Sequence, residues 1–297
     1  MSARPVVIAY TLGDQAGIGP EIVEAALSQL PIQEGVEYRL VGERIPCELG
    51  CPTLATAQAA WNHLELAAAG LKDGRFDAVV TAPICKEGLH ELGFNYPGQT
   101  EFFADRLGVS DFAMCLSGER LTVVLATTHV ALRDVADLLC VPEVVRVGKL
   151  LAAFLHRTGR KRGDIPRIAV AGLNPHNGEQ GAFGDEESRI IAPAVAQLQV
   201  DCAGMADFVG PCVPDVVYRD AAAGQYDAVL APYHDQALIP LKLLDFDTAV
   251  NATIGLPRLR VSPDHGTAFG IAGKGVANPS SMIRAFELAL QSARSTQ

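Results

Sequence analysis

Val6-Val7-Ile8-Ala9-Tyr10 runs straight into Gly13-Asp14-Gln15-Ala16-Gly17-Ile18-Gly19-Pro20-Glu21, an apolar run followed by a glycine-rich turn. Five consecutive apolar residues read as a strand buried on both faces. Pro20 suits the first position of a helix running to about Leu30, and Glu21 falls in the first turn, where the helix dipole favours a carboxylate. The alternation continues outward from this unit. Thr56 to Leu71 reads as a helix closed by Lys72-Asp73-Gly74, with strand Ala78 to Thr81 behind it. Leu121 to Ala126, Ile168 to Leu173 and Ala228 to Leu230 read as further buried strands, and Pro142 to His156, Ser188 to Leu198 and Ser281 to Ala293 as helices. Strands alternating with helices predict an α/β fold of mostly parallel sheets covered by helices. With no repeat, low-complexity tract or Pro/Ser linker, any division into lobes is expected where the chain crosses between them.

The 297 residues carry 49% hydrophobic side chains, enough for a sizeable core, and a net charge of −10. An acidic chain with no basic patch argues against nucleic acid or anionic membrane as partner. The one basic cluster, Arg157 to Arg162, reads as a solvated turn. Seven cysteines, scattered and without a C-x-x-C pair, read as reduced thiols of a cytoplasmic protein. Val6 to Leu12 is too short for a signal-peptide core, and no apolar run of about eighteen residues is present to span a membrane.

Three of the seven histidines stand just past apolar runs: His129 in Thr127-Thr128-His129-Val130, His176 in Asn174-Pro175-His176-Asn177-Gly178, and His234 in Pro232-Tyr233-His234-Asp235-Gln236. In open α/β sheets ligands bind beyond the carboxyl ends of strands. Three neutral imidazoles suit Zn²⁺, Co²⁺ or a similar divalent ion with positions left open for substrate. Each histidine alone reads equally as an ordinary loop residue; the three together point to a site. A second glycine-rich stretch, Asp264-His265-Gly266-Thr267-Ala268-Phe269-Gly270-Ile271-Ala272-Gly273-Lys274-Gly275-Val276-Ala277-Asn278-Pro279, suits a loop wrapped around a flat ligand.

The first glycine turn and this loop resemble the isocitrate and isopropylmalate dehydrogenase superfamily. The histidine contexts, together with Gly98-Gln99-Thr100-Glu101-Phe102-Phe103 and Asn251-Ala252-Thr253-Ile254-Gly255-Leu256-Pro257, are similar to the 4-hydroxythreonine-4-phosphate dehydrogenase family of pyridoxal phosphate biosynthesis. The resemblance runs from about Val6 to Met282 and implies a two-domain fold with the active site in the cleft between lobes. Residues 1–110 plus 240–297 would form a nucleotide-binding lobe, and 111–239 a metal-binding and dimerisation lobe. It implies a divalent metal (Zn²⁺, Co²⁺ or Mg²⁺) on His129, His176 and His234, shared across a homodimer interface. Substrate contacts would be Gln99, Thr100, Lys242, Asn251 and Arg260; Lys242 and Arg260 also make sense as a point charge and a fork for phosphate. His265, Thr267 and Asn278 would hold the adenosine end of NAD or NADP.

Three departures stand out. The family usually has histidine where this chain has Gln99, whose amide is expected to donate to a phosphate oxygen without adding charge. The stretch from Cys51 to Ala78 is shorter than in the family, so a peripheral arm is missing. Gly270 stands where users of NAD commonly carry a carboxylate that grips the adenosine ribose.

The reaction implied is oxidation of the C3 hydroxyl of 4-phosphooxy-L-threonine, with Lys86, at a strand end, or Asp235 acting through water as base. The resulting β-keto acid would lose CO₂ to give 3-amino-2-oxopropyl phosphate. A related substrate, a four-carbon phospho-sugar acid such as phosphorylated threonate or erythronate, keeps the chemistry. A three-histidine zinc hydrolase of a small phosphoester differs by producing no reduced nucleotide. A non-catalytic binding module leaves the histidines unexplained.

Overall fold

The computed structural model describes residues 4–295. Ten strands are present among them: β1 Val6–Thr11, β2 Val36–Leu40, β3 Ala78–Thr81, β4 Ala113–Ser117, β5 Thr122–Leu125, β6 Arg167–Ala171, β7 Asp207–Cys212, β8 Ala228–Ala231, β9 Val250–Ile254 and β10 Arg260–Pro263. Two compact units share them, the first running to Ser110 and resuming at Val250, the second spanning Asp111–Ala249. The crossing expected near 240 falls inside helix His234–Asp245, whose Ala237, Leu238 and Leu241 are buried in the second unit's core. A helix packed along one face cannot be divided between two cores, so the chain returns at 249/250.

In the first unit the strand order is β2-β1-β3-β10-β9, parallel except for β9, which runs antiparallel to β10. Helix Ser280–Arg294 covers one face: Phe286 meets Tyr10 and Tyr38 edge-on at 5.8 and 5.4 Å. Helix Leu54–Lys72 begins before the expected Thr56, because Thr53 caps it. The Thr53 hydroxyl accepts from the Thr56 N–H at 3.2 Å, and Thr56 Oγ1 accepts from the Thr53 N–H at 3.0 Å. These bonds satisfy backbone donors a helix start otherwise leaves open.

In the second unit the order is β4-β5-β8-β6-β7, with β5, β8, β6 and β7 parallel and β4 antiparallel to β5. Four-residue strands such as β5 and β8 are buried throughout, as a sheet covered on both faces requires. The helix expected from Ser188 starts instead as a wide π turn, Glu187–Ile191, and continues as Ala192–Asp201. Pro193 has no N–H for the regular ladder, which accounts for the irregular start. The basic cluster is less free than expected: Arg160 donates to the Gly118 carbonyl at 2.6 Å and Arg162 to that of Tyr226 at 2.9 Å.

Candidate active site

The second unit carries the histidines. Because β5, β8 and β6 are parallel neighbours, their carboxyl ends lie along one edge, and His129, His234 and His176 follow them. The β5 and β8 exits are tied together: Ala126 N–H donates to the Ala231 carbonyl at 2.9 Å, and the Thr127 N–H and hydroxyl donate to that of Pro232 at 3.0 and 2.7 Å. This brings the His129 and His234 rings to 5.7 Å between centroids. His234 opens its helix, and its Nδ1 bonds Asp235 Oδ1 at 2.7 Å. A carboxylate on Nδ1 fixes the tautomer and leaves Nε2 as the ligating nitrogen. The same bond holds Asp235, itself exposed, against the His234 ring.

His176 is held differently. His176, Asn177, Gly178, Glu179 and Gln180 all have φ between 44 and 74°, a left-handed turn that four of the five do not favour. Glu187, 5% exposed, accepts from the Leu173 and Asn174 N–H groups, both at 2.7 Å, and from Asn174 Nδ2 at 3.0 Å. Asn177 Nδ2 donates to the Pro211 carbonyl at 2.8 Å. The His176 side chain is 65% exposed, with Glu179 at 3.7 Å. His129, His234 and Asp235 line a cavity of about 320 Å³, and His176, Asp235 and Gln236 line one of about 650 Å³. Among the described residues no three His, Cys, Asp or Glu side chains stand together as a metal site within one chain. Two imidazoles, one with its tautomer fixed, fit a borderline divalent ion; the third expected ligand is not gathered with them. Lys242 lies exposed on the same helix as Asp235, two turns on.

The first unit carries a polar face. Tyr10 packs on Phe286, so Thr11, its neighbour in the strand, points to the opposite face. Thr11 pairs with Thr81, Arg260 with Val79 and Thr253, and Asn251 with Ser262, which sets Thr11, Thr81, Arg260, Thr253 and Asn251 on that one face. Helix Gln99–Leu107 lies over it: Thr100 Oγ1 is 3.2 Å from Thr253 Oγ1, and Gln99 Nε2 donates to the Ala82 carbonyl at 3.4 Å. Lys86 is exposed, and an added Cβ at Gly98 would lie 3.9 Å from its Nζ, which places the ammonium beside the start of this helix. The structure thus brings together Lys86, Gln99, Thr100, Asn251 and Arg260, which the sequence scatters over 175 positions or fewer of chain.

Arg260 is 2% exposed, and its Nε and Nη2 both donate to Thr81 Oγ1, at 3.0 and 2.7 Å. Burial pushes its pKa down to about 9, against a smaller opposing pull from Glu101. No carboxylate of the described residues forms an ion pair with it. A buried cation with no carboxylate paired to it is costly and favours an anionic ligand. Three buried atoms on or over this face have no hydrogen-bond partner: Thr11 Oγ1, Gln99 Oε1 and Asn251 Oδ1. The atom of Gln99 without a partner is its oxygen, while its amide nitrogen gives one N–H to the Ala82 carbonyl and keeps the second.

The C-terminal glycine loop docks on the N-terminal one. Ile18 N–H donates to the Thr267 carbonyl at 2.9 Å, and Glu21 accepts from the Gly273 and Ala277 N–H groups at 3.0 and 3.3 Å. Glu21 was legible only as a helix-dipole residue; its partners lie more than 250 positions away. His265 is exposed, its Nδ1 3.0 Å from the Gly266 carbonyl oxygen. Asn278 Oδ1 accepts from the Ser280 N–H and hydroxyl at 3.0 and 2.7 Å, which engages its oxygen at the start of the last helix and leaves its amide nitrogen for a ligand.

The profile of the pyridoxal phosphate biosynthetic protein PdxA matches residues 14–289. A 4-hydroxythreonine-4-phosphate dehydrogenase of Geobacter metallireducens is 40% identical, over 97% of this chain and 95% of its own. A D-threonate 4-phosphate dehydrogenase of Pectobacterium atrosepticum is also 40% identical, over 96% and 98%. The crystal structure of 4-hydroxythreonine-4-phosphate dehydrogenase from Klebsiella pneumoniae superposes with a TM-score of 0.80 at 37% identity, covering 97% of this chain and 99% of that one. At the level of fold alone, isocitrate dehydrogenase from Methylococcus capsulatus is also similar, with a TM-score of 0.54, 16% identity and coverage of 98% and 87%. The chain belongs to the PdxA family of pyridoxal phosphate biosynthetic proteins.

Proposed function

We propose that this chain is a nicotinamide-dependent dehydrogenase that oxidises the C3 hydroxyl of 4-phosphooxy-L-threonine. The observation that carries this reading is Arg260, a buried guanidinium without an anionic partner on a face shared with Asn251 and covered by Thr100. Arg260 and Lys242 would neutralise the phosphate, with Thr100 and the Asn251 amide fixing its oxygens, so that remote binding energy orients C3. His265, Thr267 and Asn278 would hold the dinucleotide on the docked glycine loop. The nicotinamide would supply the hydride acceptor for C3, and Lys86, beside the start of the Gln99 helix, would take the hydroxyl proton. The β-keto acid so formed releases CO₂, giving 3-amino-2-oxopropyl phosphate. A divalent ion on His129 and His234, with His176, would supply a Lewis acid that lowers the hydroxyl's pKa. Asp235 keeps His234 in the tautomer that can bind it.

A homodimer with shared sites follows the same reading. Ile239 and Leu243 on helix His234–Asp245 and Phe246 at its C-cap are 61, 81 and 73% exposed, and a second copy would cover them. Seven free thiols suit a reducing compartment such as the cytoplasm. Among the described residues no helix is long and apolar enough to cross a membrane. A second reading, oxidation of D-threonate 4-phosphate, is favoured by the equal identity to the Pectobacterium enzyme. The test is nucleotide reduction with each phosphorylated acid and each of NAD and NADP. Phosphoester hydrolysis without nucleotide reduction would replace the reading by the hydrolase.

A further inference from the structure

On the reading above, the substrate has a carboxylate at C1, a hydroxyl at C3 and a phosphate at C4. The two anionic groups only accept hydrogen bonds near neutral pH, and the C3 hydroxyl gives up its proton in the reaction. The one remaining donor is the substituent at C2, a hydroxyl or an amine. The first unit offers that donor an acceptor. Gln99 sits at the start of helix Gln99–Leu107, its nitrogen turned to the Ala82 carbonyl at 3.4 Å and its Oε1 buried without a partner. The reversed amide would set two oxygens against each other, so the backbone dictates which atom is free. Thr81, the residue before Ala82, carries the Arg260 guanidinium, so Gln99 and Arg260 are anchored at consecutive residues of the chain. Asn251 Oδ1, on the same sheet face, is a second buried acceptor in the same condition.

We propose that Gln99 is a specificity-determining residue, accepting a hydrogen bond from the C2 substituent of the substrate through Oε1. A buried carbonyl without a donor is costly, and a ligand that supplies the donor removes that cost. An analogue with only hydrogen at C2 leaves the oxygen unsatisfied and is rejected. This rests on the dehydrogenase reading and adds to it which atom of the enzyme reads which carbon.

The experiment compares three acids identical at C1, C3 and C4 and bearing amine, hydroxyl or hydrogen at C2. In the wild type, kcat/KM for the amine or the hydroxyl compound, or both, exceeds that for the C2-hydrogen compound by about tenfold, the scale of one buried hydrogen bond. Gln99→Leu reduces this advantage to about twofold or less, the loss falling chiefly on the amine and hydroxyl compounds. Gln99→Met, which keeps the length of the side chain without an acceptor, gives the same pattern and guards against a defect peculiar to leucine. Equal losses on all three compounds in both Gln99→Leu and Gln99→Met would assign Gln99 to the phosphate or to structure and overturn the proposal. Failure of the wild type to reduce nucleotide with any of the three defeats the dehydrogenase reading instead. The same ranking, measured as binding constants by calorimetry, then still decides the role of Gln99.

Discussion

Thr81 Oγ1 accepts from both Nε and Nη2 of Arg260, and this hydroxyl is the neutral anchor of a fully buried cation. The arrangement trades stability for binding. Arg260→Met should raise or hold the melting temperature of the ligand-free protein, since replacing a buried charge by an apolar side chain of similar volume is often neutral or stabilising by about 1–4 kcal/mol. The same change should lower kcat/KM for the phosphorylated substrate by about 2–5 kcal/mol equivalent. Thermal melts and steady-state kinetics on one preparation check both; a less stable variant with unaltered kinetics would reverse the assignment.

Glu187 sets the course of the loop that carries His176. Glu187→Ala leaves the Leu173 and Asn174 N–H groups without their acceptor, at a cost of about 1–3 kcal/mol in stability. Divalent-metal affinity, measured by titration calorimetry, should fall about 10- to 100-fold because the ligand's supporting contacts are gone. Unchanged metal affinity would separate His176 from the metal.

Acid should weaken the first unit through His63. Its Nε2 accepts from the Glu43 N–H at 3.2 Å, and burial lowers its pKa from 6.5. The folded state therefore binds this proton less readily than the unfolded chain. The stability it contributes is complete above about pH 6.5 and is lost as pH falls from there toward the folded value. The difference in melting temperature between wild type and His63→Gln should be constant above neutrality and shift in favour of the variant as pH falls below 6. A difference that does not change with pH would exclude His63 as the titrating group.

Leu243→Asp with Phe246→Asp should give a monomer by sedimentation, since both side chains are more than 70% exposed, one on helix His234–Asp245 and one at its C-cap. If the metal site is completed by a second copy, the monomer should also lose stoichiometric metal while keeping its circular dichroism spectrum. Monomers that bind metal at full strength would place the whole site in one chain.

Gly270 has no left-handed backbone, and a Cβ there meets nothing within 4 Å, so Gly270→Asp can be made without strain. The new carboxylate should lower KM for NAD and raise it for NADP, by hydrogen bonding ribose hydroxyls and repelling a 2′-phosphate. The wild type should prefer NAD only modestly; a preference of about a thousandfold would show that another residue already performs this selection.

The strands were legible because their signal is local. Apolar runs such as Val6–Tyr10 and Ala78–Thr81 name themselves, as does Pro20 at a helix start, since each depends on neighbours within a turn or two. The glycine loops were legible too, because a backbone that must turn sharply requires particular residues in a row. Tertiary structure alone decided what those residues touch. It turned Glu21 from a dipole residue into a clasp for Gly273 and Ala277, and it buried Arg260, a depth that the sequence around it does not record. It paired His129 with His234 while leaving His176 on its own strained turn, though all three looked alike as histidines after strands. It also left the oxygen of Gln99 buried without a partner. Burial, pairing and amide orientation are set by groups brought close from far along the chain, and no local pattern records them.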